Sequence, residues 1–361
     1  MNNFYSIVGN GRVKNSLINL VKDNKHTHAY LFISDDEIIR REIALAFAKS
    51  LQCEHFHDDD SCNECKSCMT FDSGNNVDVK YIDRDFKKIK DKDETSPHKL
   101  PVCGVEEESS PMKNTIGVDN IRENVIKEIM FAPVDNKYKI FIIDNAELMN
   151  PNAQNALLKT LEEPNEYVKL ILLASSKDAI LNTILSRCVA INLNPLNEKE
   201  INEWALKYLN PQNYEDFDFT LKLYSKFCCG NVSRLKRMMD EDDSFTELKD
   251  TVNRIAGLLF DEKYDSYQTA RQYLLGAQSQ IEDVLFILEV WYRDIMYVRN
   301  NMMDRVVNFN AKETLQEQAK IFKERQLANS LNEIKKFREN LRANGQYKMA
   351  LSAFLVNMSE V

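Results

Sequence analysis

The chain has 361 residues, 43% hydrophobic and 29% charged, with only 9 glycines and a net charge of −9. This length and balance suit two or three domains with a sizeable core, and scarce glycine favours long helices over a turn-rich all-β protein. The acidic charge excludes a general polyanion binder, so any nucleic-acid contact has to be local or shared with partners.

The first residues, MNNFYSIVGNGRVKNSLINLVKDN, have polar residues throughout, so no signal-peptide core is expected. The longest clean apolar runs, such as LILLA at 170–174, are too short to span a bilayer. A cytoplasmic protein with no membrane partner is expected. There thiols stay reduced, so the cysteines are read as ligands or buried residues rather than disulfides.

In chain order, short apolar runs predict strands at 30–34, 79–83, 138–144, 168–175 and 188–193. Most are continuous rather than alternating, as in parallel strands covered on both faces. Helical patterns lie between them. Val118, Ile121, Val125 and Ile129 share one face, with Pro133 as a stop. Ala153, Ala156, Leu157 and Leu161 share another, ended by Pro164. After about residue 195 the strands vanish, and helices follow to residue 361, among them IEDVLFILEVWYRDIMYV and GQYKMALSAFLVNM. Residues 84–115 hold 14 charged residues and three prolines with little periodicity, and are read as a polar surface insertion that includes Cys103.

The segment CEHFHDDDSCNECKSC places Cys53, Cys62, Cys65 and Cys68 within 16 residues. Zinc takes four thiolates in a closed tetrahedron, and two-residue gaps let successive sulfurs converge on one ion. A structural zinc is expected, since four thiolates leave no open position for a catalytic water. His55 and His57 are read as solvated loop residues beside the acidic run 58–60. Cys188, Cys228 and Cys229 are read as buried apolar residues.

These motifs, in this order, resemble the clamp-loader branch of the AAA+ proteins, to which subunits of bacterial DNA polymerase III belong. The resemblance runs through Val8-Gly9, HAYLF at 28–32, the four cysteines, Asp78-Val79 and Ile121-Arg122. It continues through KYKIFIID (137–144), NALLKTLEEP (155–164), ILSRC (184–188), GNVSRLKRM (230–238) and WYRDIM (291–296). It implies an α/β AAA+ domain over 1–194, a parallel sheet with helices on both faces that carries the zinc module at 53–68 and the insertion at 84–115. It further implies a small helical lid over 195–247 and an all-α collar over 248–361.

In an active relative, G-x-x-x-x-G-K-[ST] follows HAYLF and one more residue. Here a gap-free count puts Ser34 and Ile39 at the two glycines, Arg40 at the lysine and Arg41 at the magnesium-binding hydroxyl. Asp144 stands where magnesium would be held, and Asn145 stands at the catalytic glutamate. An amide cannot act as the base that activates water. The resemblance therefore implies a chain that binds no ATP, a degenerate Walker A site, and no intrinsic ATPase. It also implies an arginine finger: in the SRC motif, Ser186 and Arg187 would present that arginine to ATP on a neighbouring subunit. Arg234 falls near a nucleotide-sensing position of the lid. The implied partners are the ATPase (gamma/tau) subunits and the delta subunit, with the sliding clamp and primer–template DNA reached through the assembly. The apolar face of Leu285, Leu288, Trp291 and Ile295 suits helix packing within or between subunits. Two alternatives stand beside this reading: an ATP-hydrolysing gamma/tau-type subunit, and a stand-alone zinc-bearing nucleic-acid-binding module.

Overall fold

The computed structural model describes residues 3–83, 115–178, 180–214, 216–240, 242–259, 264–308, 311–342 and 346–359. Apart from Thr115, the polar insertion 84–115 and its Cys103 lie outside the described residues. The chain divides into two compact units, 1–236 and 237–361.

The first unit runs α1 (Gly11–Lys22), β1 (Ala29–Ile33), α2 (Glu37–Gln52), α3 (Lys66–Asp72) and β2 (Val79–Ile82). It continues with α4 (Val118–Ile121), α5 (Lys127–Ile129), β3 (Lys139–Ile143), α6 (Pro151–Glu162), β4 (Val168–Ala174), α7 (Asn182–Leu185) and β5 (Val189–Asn192). Then come α8 (Glu198–Tyr208), α9 (Phe217–Phe227) and the start of α10 (Val232–Asp240). All five strands are parallel, in the order β2-β3-β4-β1-β5. The register sets Leu31 against Leu172 on one side and Ala190 on the other, and Tyr81 against Ile142.

The continuous apolar strands fill the centre as expected. Every residue of β3 and β4 is buried. The side chains of Phe141, Ile143, Leu170 and Leu172 pack in one cluster with Ile121, Val125, Leu157 and Leu161 of the covering helices. Each such side chain contributes on the order of 1.5–3 kcal/mol by leaving water. The helical pattern from Val118 to Ile129 forms, but Arg122–Ile126 is a π-helical turn joining α4 to α5. The fifth strand departs from expectation. β5 lies at the edge of the sheet, and Val189, Ala190 and Asn192 are exposed, so it is not covered on both faces. Cys188 and Cys229 are half-buried rather than buried, whereas Cys228 is fully buried, and burial pushes its thiol up to about 12.

Helix starts follow their capping residues. The Asn150 side chain accepts from Ala153 N at 2.8 Å, and Pro151 takes the first helical position of α6. At α8 Asn197 and Glu200 form a reciprocal capping box. Gly230 is required where it stands. Its φ is +85°, its carbonyl accepts from Leu196 N, and a Cβ there would lie 2.6 Å from Leu196 O.

Among its described residues the second unit holds helices and no strand: α11 (Asp242–Leu258), α12 (Tyr264–Gly276), α13 (Ile281–Arg299), α14 (Lys312–Ile321), α15 (Glu324–Arg342) and α16 (Tyr347–Ser359). α13 packs against α11, α14 and α15. Its face of Leu285, Leu288, Trp291 and Ile295 is consumed by this packing, since none is more than 2% exposed. Trp291 Nε1 donates to Gln318 Oε1 at 2.8 Å. Asp294 is fully buried and accepts from the backbone amides of Val307 and Asn308 and from the Asn308 side chain, which fixes that turn.

Candidate nucleotide and metal sites

The turn from β1 to α2 is where an α/β domain of this kind presents helix amides to a phosphate. Here the chain's own groups occupy that position. Asp36 caps α2 by accepting from Ile39 N at 3.3 Å, and Ser34 Oγ accepts from Asp36 N at 3.0 Å. The same carboxylate accepts from Val232 N at 2.6 Å and from Ser233 Oγ at 2.8 Å, both at the start of α10. Ile38 N donates to Ser233 Oγ at 2.9 Å, and Asn231 Nδ2 donates to Asp35 O at 3.1 Å. One buried carboxylate thus stands at the amino ends of two helices, where a negative charge is favoured. Burial raises the pKa of Asp36, and the hydrogen bonds from Ser233, Val232 and Ile39 oppose that rise.

Below this cap lies a buried charge network. Arg40 is 1% exposed. Its Nη1 donates to Ser34 O at 2.7 Å, and its Nη2 to Asn145 Oδ1 at 2.8 Å and Asp144 Oδ1 at 3.3 Å. Arg41 Nη2 donates to Asp144 Oδ2 at 2.9 Å and Glu37 Oε1 at 3.0 Å, and its Nε to Tyr81 Oη at 2.7 Å. The Tyr81 hydroxyl donates to Asp144 Oδ2. Asp144 has no exposed surface. Burial alone would raise its pKa, but Arg40 and Arg41, with the Tyr81 hydrogen bond, hold it below the usual carboxylate value. Both terminal nitrogens of Arg40 are therefore engaged inside the chain, so it is not a free anion-attracting group. Glu147 accepts from Ser175 N at 3.0 Å, at the end of β4.

The structure thus brings Ser34, Arg40, Arg41, Asp144 and Asn145 together, with Ile39 supplying only its amide to the cap. Sequence reasoning missed Tyr81 and Ser233 as members, and Asp36 as the cap of α2. Tyr81 lies inside β2, in a run read only as a strand of the sheet, and Ser233 lies 197 residues from its carboxylate partner. The only usable signal was the charge balance: two adjacent arginines with the Asp144 position as the nearest mapped counter-charge.

The cysteines form a second cluster. The sulfurs of Cys53, Cys62, Cys65 and Cys68 all lie within 4.8 Å of one another. Tetrahedral zinc with Zn–S bonds of ~2.3 Å needs sulfurs about 3.8 Å apart, so this donor set fits a structural zinc. Backbone amides also converge on the sulfurs: Cys62 N to Cys53 Sγ at 3.3 Å, Cys65 N to Cys62 Sγ at 3.4 Å and Cys68 N to Cys65 Sγ at 3.4 Å. His55 and His57 are exposed and outside the cluster. The module is tied to α2 through Lys49, whose buried ammonium donates to Asn63 Oδ1 at 2.6 Å and Asp72 Oδ2 at 2.8 Å.

Arg187 lies between α7 and β5. Its Nη1 donates to Thr183 O at 2.8 Å and Ser186 Oγ at 3.2 Å, and its Nη2 pairs with Glu162 Oε1 at 2.8 Å. The side chain is a third exposed, next to the open edge strand. Arg234 donates to Cys228 O at 3.1 Å and stands 3.8 Å from Asp35.

The sheet order and the helices packed on it define a parallel α/β domain, followed in the chain by helical segments. Residues 9–197, more than half of the chain, match the family described as DNA polymerase III, delta subunit, and the chain belongs to that family. Among curated proteins it is similar to DNA polymerase III subunit tau/gamma of Haemophilus influenzae, 29% identical over 263 residues, covering 72% of this chain and 34% of that protein. It is 26% identical to subunit tau of Bacillus subtilis over 312 residues (81% of this chain, 50% of that one). It is 23% identical to subunit delta' of Bacillus subtilis over 336 residues (92% and 91%). The chain thus spans between a third and a half of the length of these two tau/gamma relatives. A solved gamma subunit-related protein from Thermotoga maritima is 15% identical with a TM-score of 0.41 over 95% of this chain and 98% of that one, a score too low to add to the fold evidence of the sheet itself. Among the described residues no helix is long and apolar enough to cross a membrane.

Proposed function

We propose that this chain is a delta-prime-type subunit of the DNA polymerase III clamp loader that neither binds nor hydrolyses ATP, and that it lends an arginine to a neighbouring subunit. The observation that carries the reading is the self-filled nucleotide site. The residues present do not fit a magnesium nucleotide. The Asp36 carboxylate takes the helix amides that a phosphate would need, and the guanidinium groups of Arg40 and Arg41 neutralise Asp144 where a magnesium ion would. Asn145 offers no carboxylate to activate water. The gamma/tau-type alternative draws on relatives of that name at comparable identity, and ATP binding by this chain decides between the two.

With its own site closed, the chain retains two assets for an assembly. Arg187 is presented beside an exposed sheet edge, with its Nη1 fixed by Thr183 O and Ser186 Oγ. A guanidinium held this way can stabilise charge on a phosphoryl group bound by the adjacent ATPase subunit. The helical segments 195–247 and 248–361 would serve as lid and collar, the collar joining this chain to the ATPase subunits and to the delta subunit. The sliding clamp and primer–template DNA would be reached through the assembly. Zinc, held by Cys53, Cys62, Cys65 and Cys68, would supply a closed structural cross-link and no chemistry.

The trans role has a direct test. Arg187→Ala should leave ring assembly intact by gel filtration. It should lower clamp- and DNA-stimulated ATP hydrolysis of the reconstituted complex, removing about 10³-fold at the one site served. The total loss should be partial, because other sites use arginines from other chains. Unchanged turnover and clamp loading in the variant would reduce this chain to a scaffold.

A further inference from the structure

The motifs HAYLF and KYKIFIID and the strand VKLILLA meet at the end of the sheet opposite the turn from β1 to α2. They converge at the amino-terminal edge of the sheet, where β1, β3 and β4 begin. Lys169, the second residue of β4, is only 5% exposed. Among the described residues no carboxylate pairs with it. Its ammonium lies 4.7 Å from the centre of the Tyr138 ring, and that of Lys137 lies 5.0 Å from the same ring. His26 sets its ring edge-on to Tyr138, with Nε2 3.2 Å from the phenol oxygen. His28 Nε2 is buried without a hydrogen-bond partner.

Two lysines and His26 are thus gathered around one aromatic ring, with His28 within electrostatic reach of Lys169, in a chain of net charge −9. Burial, and then Lys137, lower the pKa of Lys169. Burial, then Lys169 and Lys137, push His26 down to about 4. Ordinary core lysines of the same domain are handled differently. Lys139 is held by Glu128 and Lys49 by Asp72, each within hydrogen-bond distance. A buried amine left unpaired beside like charges weakens the fold. It is accounted for if an anion completes it. The outer rim is open: Lys137 is exposed and donates to the exposed Asn24 side chain at 3.4 Å.

We infer that His26, Lys137 and Lys169, around Tyr138, with His28 beside Lys169, form a binding site for a phosphate group, separate from the closed nucleotide site and independent of the proposed clamp-loader role. An ammonium pair with imidazole donors matches a compact dianion better than a single carboxylate. The phosphate can be free or part of a nucleic-acid backbone.

The test uses the full-length, zinc-loaded chain. Inorganic phosphate is titrated at constant ionic strength set with chloride, and a primer–template duplex is titrated in parallel. Wild type should bind at least one of the two saturably, and Lys169→Met should weaken that binding at least tenfold. In phosphate-free buffer Lys169→Met should also melt a few degrees higher than wild type, because a thioether of similar volume suits the buried position better. Binding of inorganic phosphate alone identifies a free phosphate as ligand, and binding of the duplex with the same sensitivity identifies a backbone phosphate. No saturable binding of either probe overturns the inference. So does binding that Lys169→Met and Lys137→Met leave unchanged, which would mark an adventitious ion only. A lower melting temperature for Lys169→Met would assign the ammonium to structural packing on Tyr138 and also overturn it.

Discussion

Asp144→Ala should cost the first unit about 3 kcal/mol or more of stability, near the lower end of the ~3–5 kcal/mol expected when one partner of a buried ion pair is removed. The carboxylate has no exposed surface and is the common acceptor for Arg40, Arg41 and Tyr81. Its removal strands the Arg40 guanidinium, which has nowhere to reach water, and leaves the Tyr81 hydroxyl without its acceptor. The cost stays at the lower end because Arg41 is a quarter exposed and can turn outward. Urea unfolding followed through Trp204, which is buried in the first unit, gives the readout. The pH dependence has a definite sign. The folded pKa of Asp144 lies below its ordinary value of 3.8, so its contribution is complete at neutral pH and is lost as pH falls from 3.8 towards the folded value. Asp144→Asn should remove that acid-limb contribution. A cost under 1 kcal/mol for the alanine variant would mean that the arginines do not depend on this carboxylate.

The second large effect is expected at the cysteines. Purified chain should carry one zinc, and Cys62→Ser with Cys65→Ser should abolish it. Structural zinc contributes ~10–16 kcal/mol of apparent binding free energy in small zinc modules, and this binding is folding free energy. Its loss should unfold the segment from Cys53 to Asp72. The consequence does not stop there. Lys49 on α2 is 1% exposed and is satisfied by Asn63 and Asp72 from the module, so loosening the module leaves a buried ammonium without partners. Tyr5 N also donates to Asp60 Oδ2 at 2.9 Å, which ties the chain's first turn to the same segment. Amide exchange should therefore rise in α2 and residues 3–6 as well as in 53–72, while α11–α16 keep their protection. Metal analysis finding no zinc in the wild type, or full zinc in the double variant, would contradict this.

The central sheet was legible because β3 and β4 are buried on both faces, so their residues are apolar without alternation. β5 misled for the same reason: its run CVAINL is just as apolar, yet it stands at the edge with Val189 exposed. Composition does not distinguish a residue kept apolar for the core from one kept apolar at an open face. The π-turn at Arg122–Ile126 left no mark, because Ile121, Val125 and Ile129 keep an almost α-helical spacing across it. At the nucleotide site, substitution of the glycines and the lysine was visible in the sequence. What replaced them was not. Asp36 reads as one of several acids, and only the fold brings Val232 and Ser233 onto it. The Lys169 cluster was likewise hidden, since His26, Tyr138 and Lys169 sit in three separate segments at the starts of strands.

The claim that the chain fills its own nucleotide site is tested most directly by calorimetric titration of the isolated zinc-loaded protein with ATP and magnesium. With Asp36 on the helix amides and Arg40 and Arg41 on Asp144, the account predicts no saturable heat at ligand concentrations up to the millimolar range. Saturable micromolar binding would contradict it, and would return the chain to the nucleotide-binding members of its family.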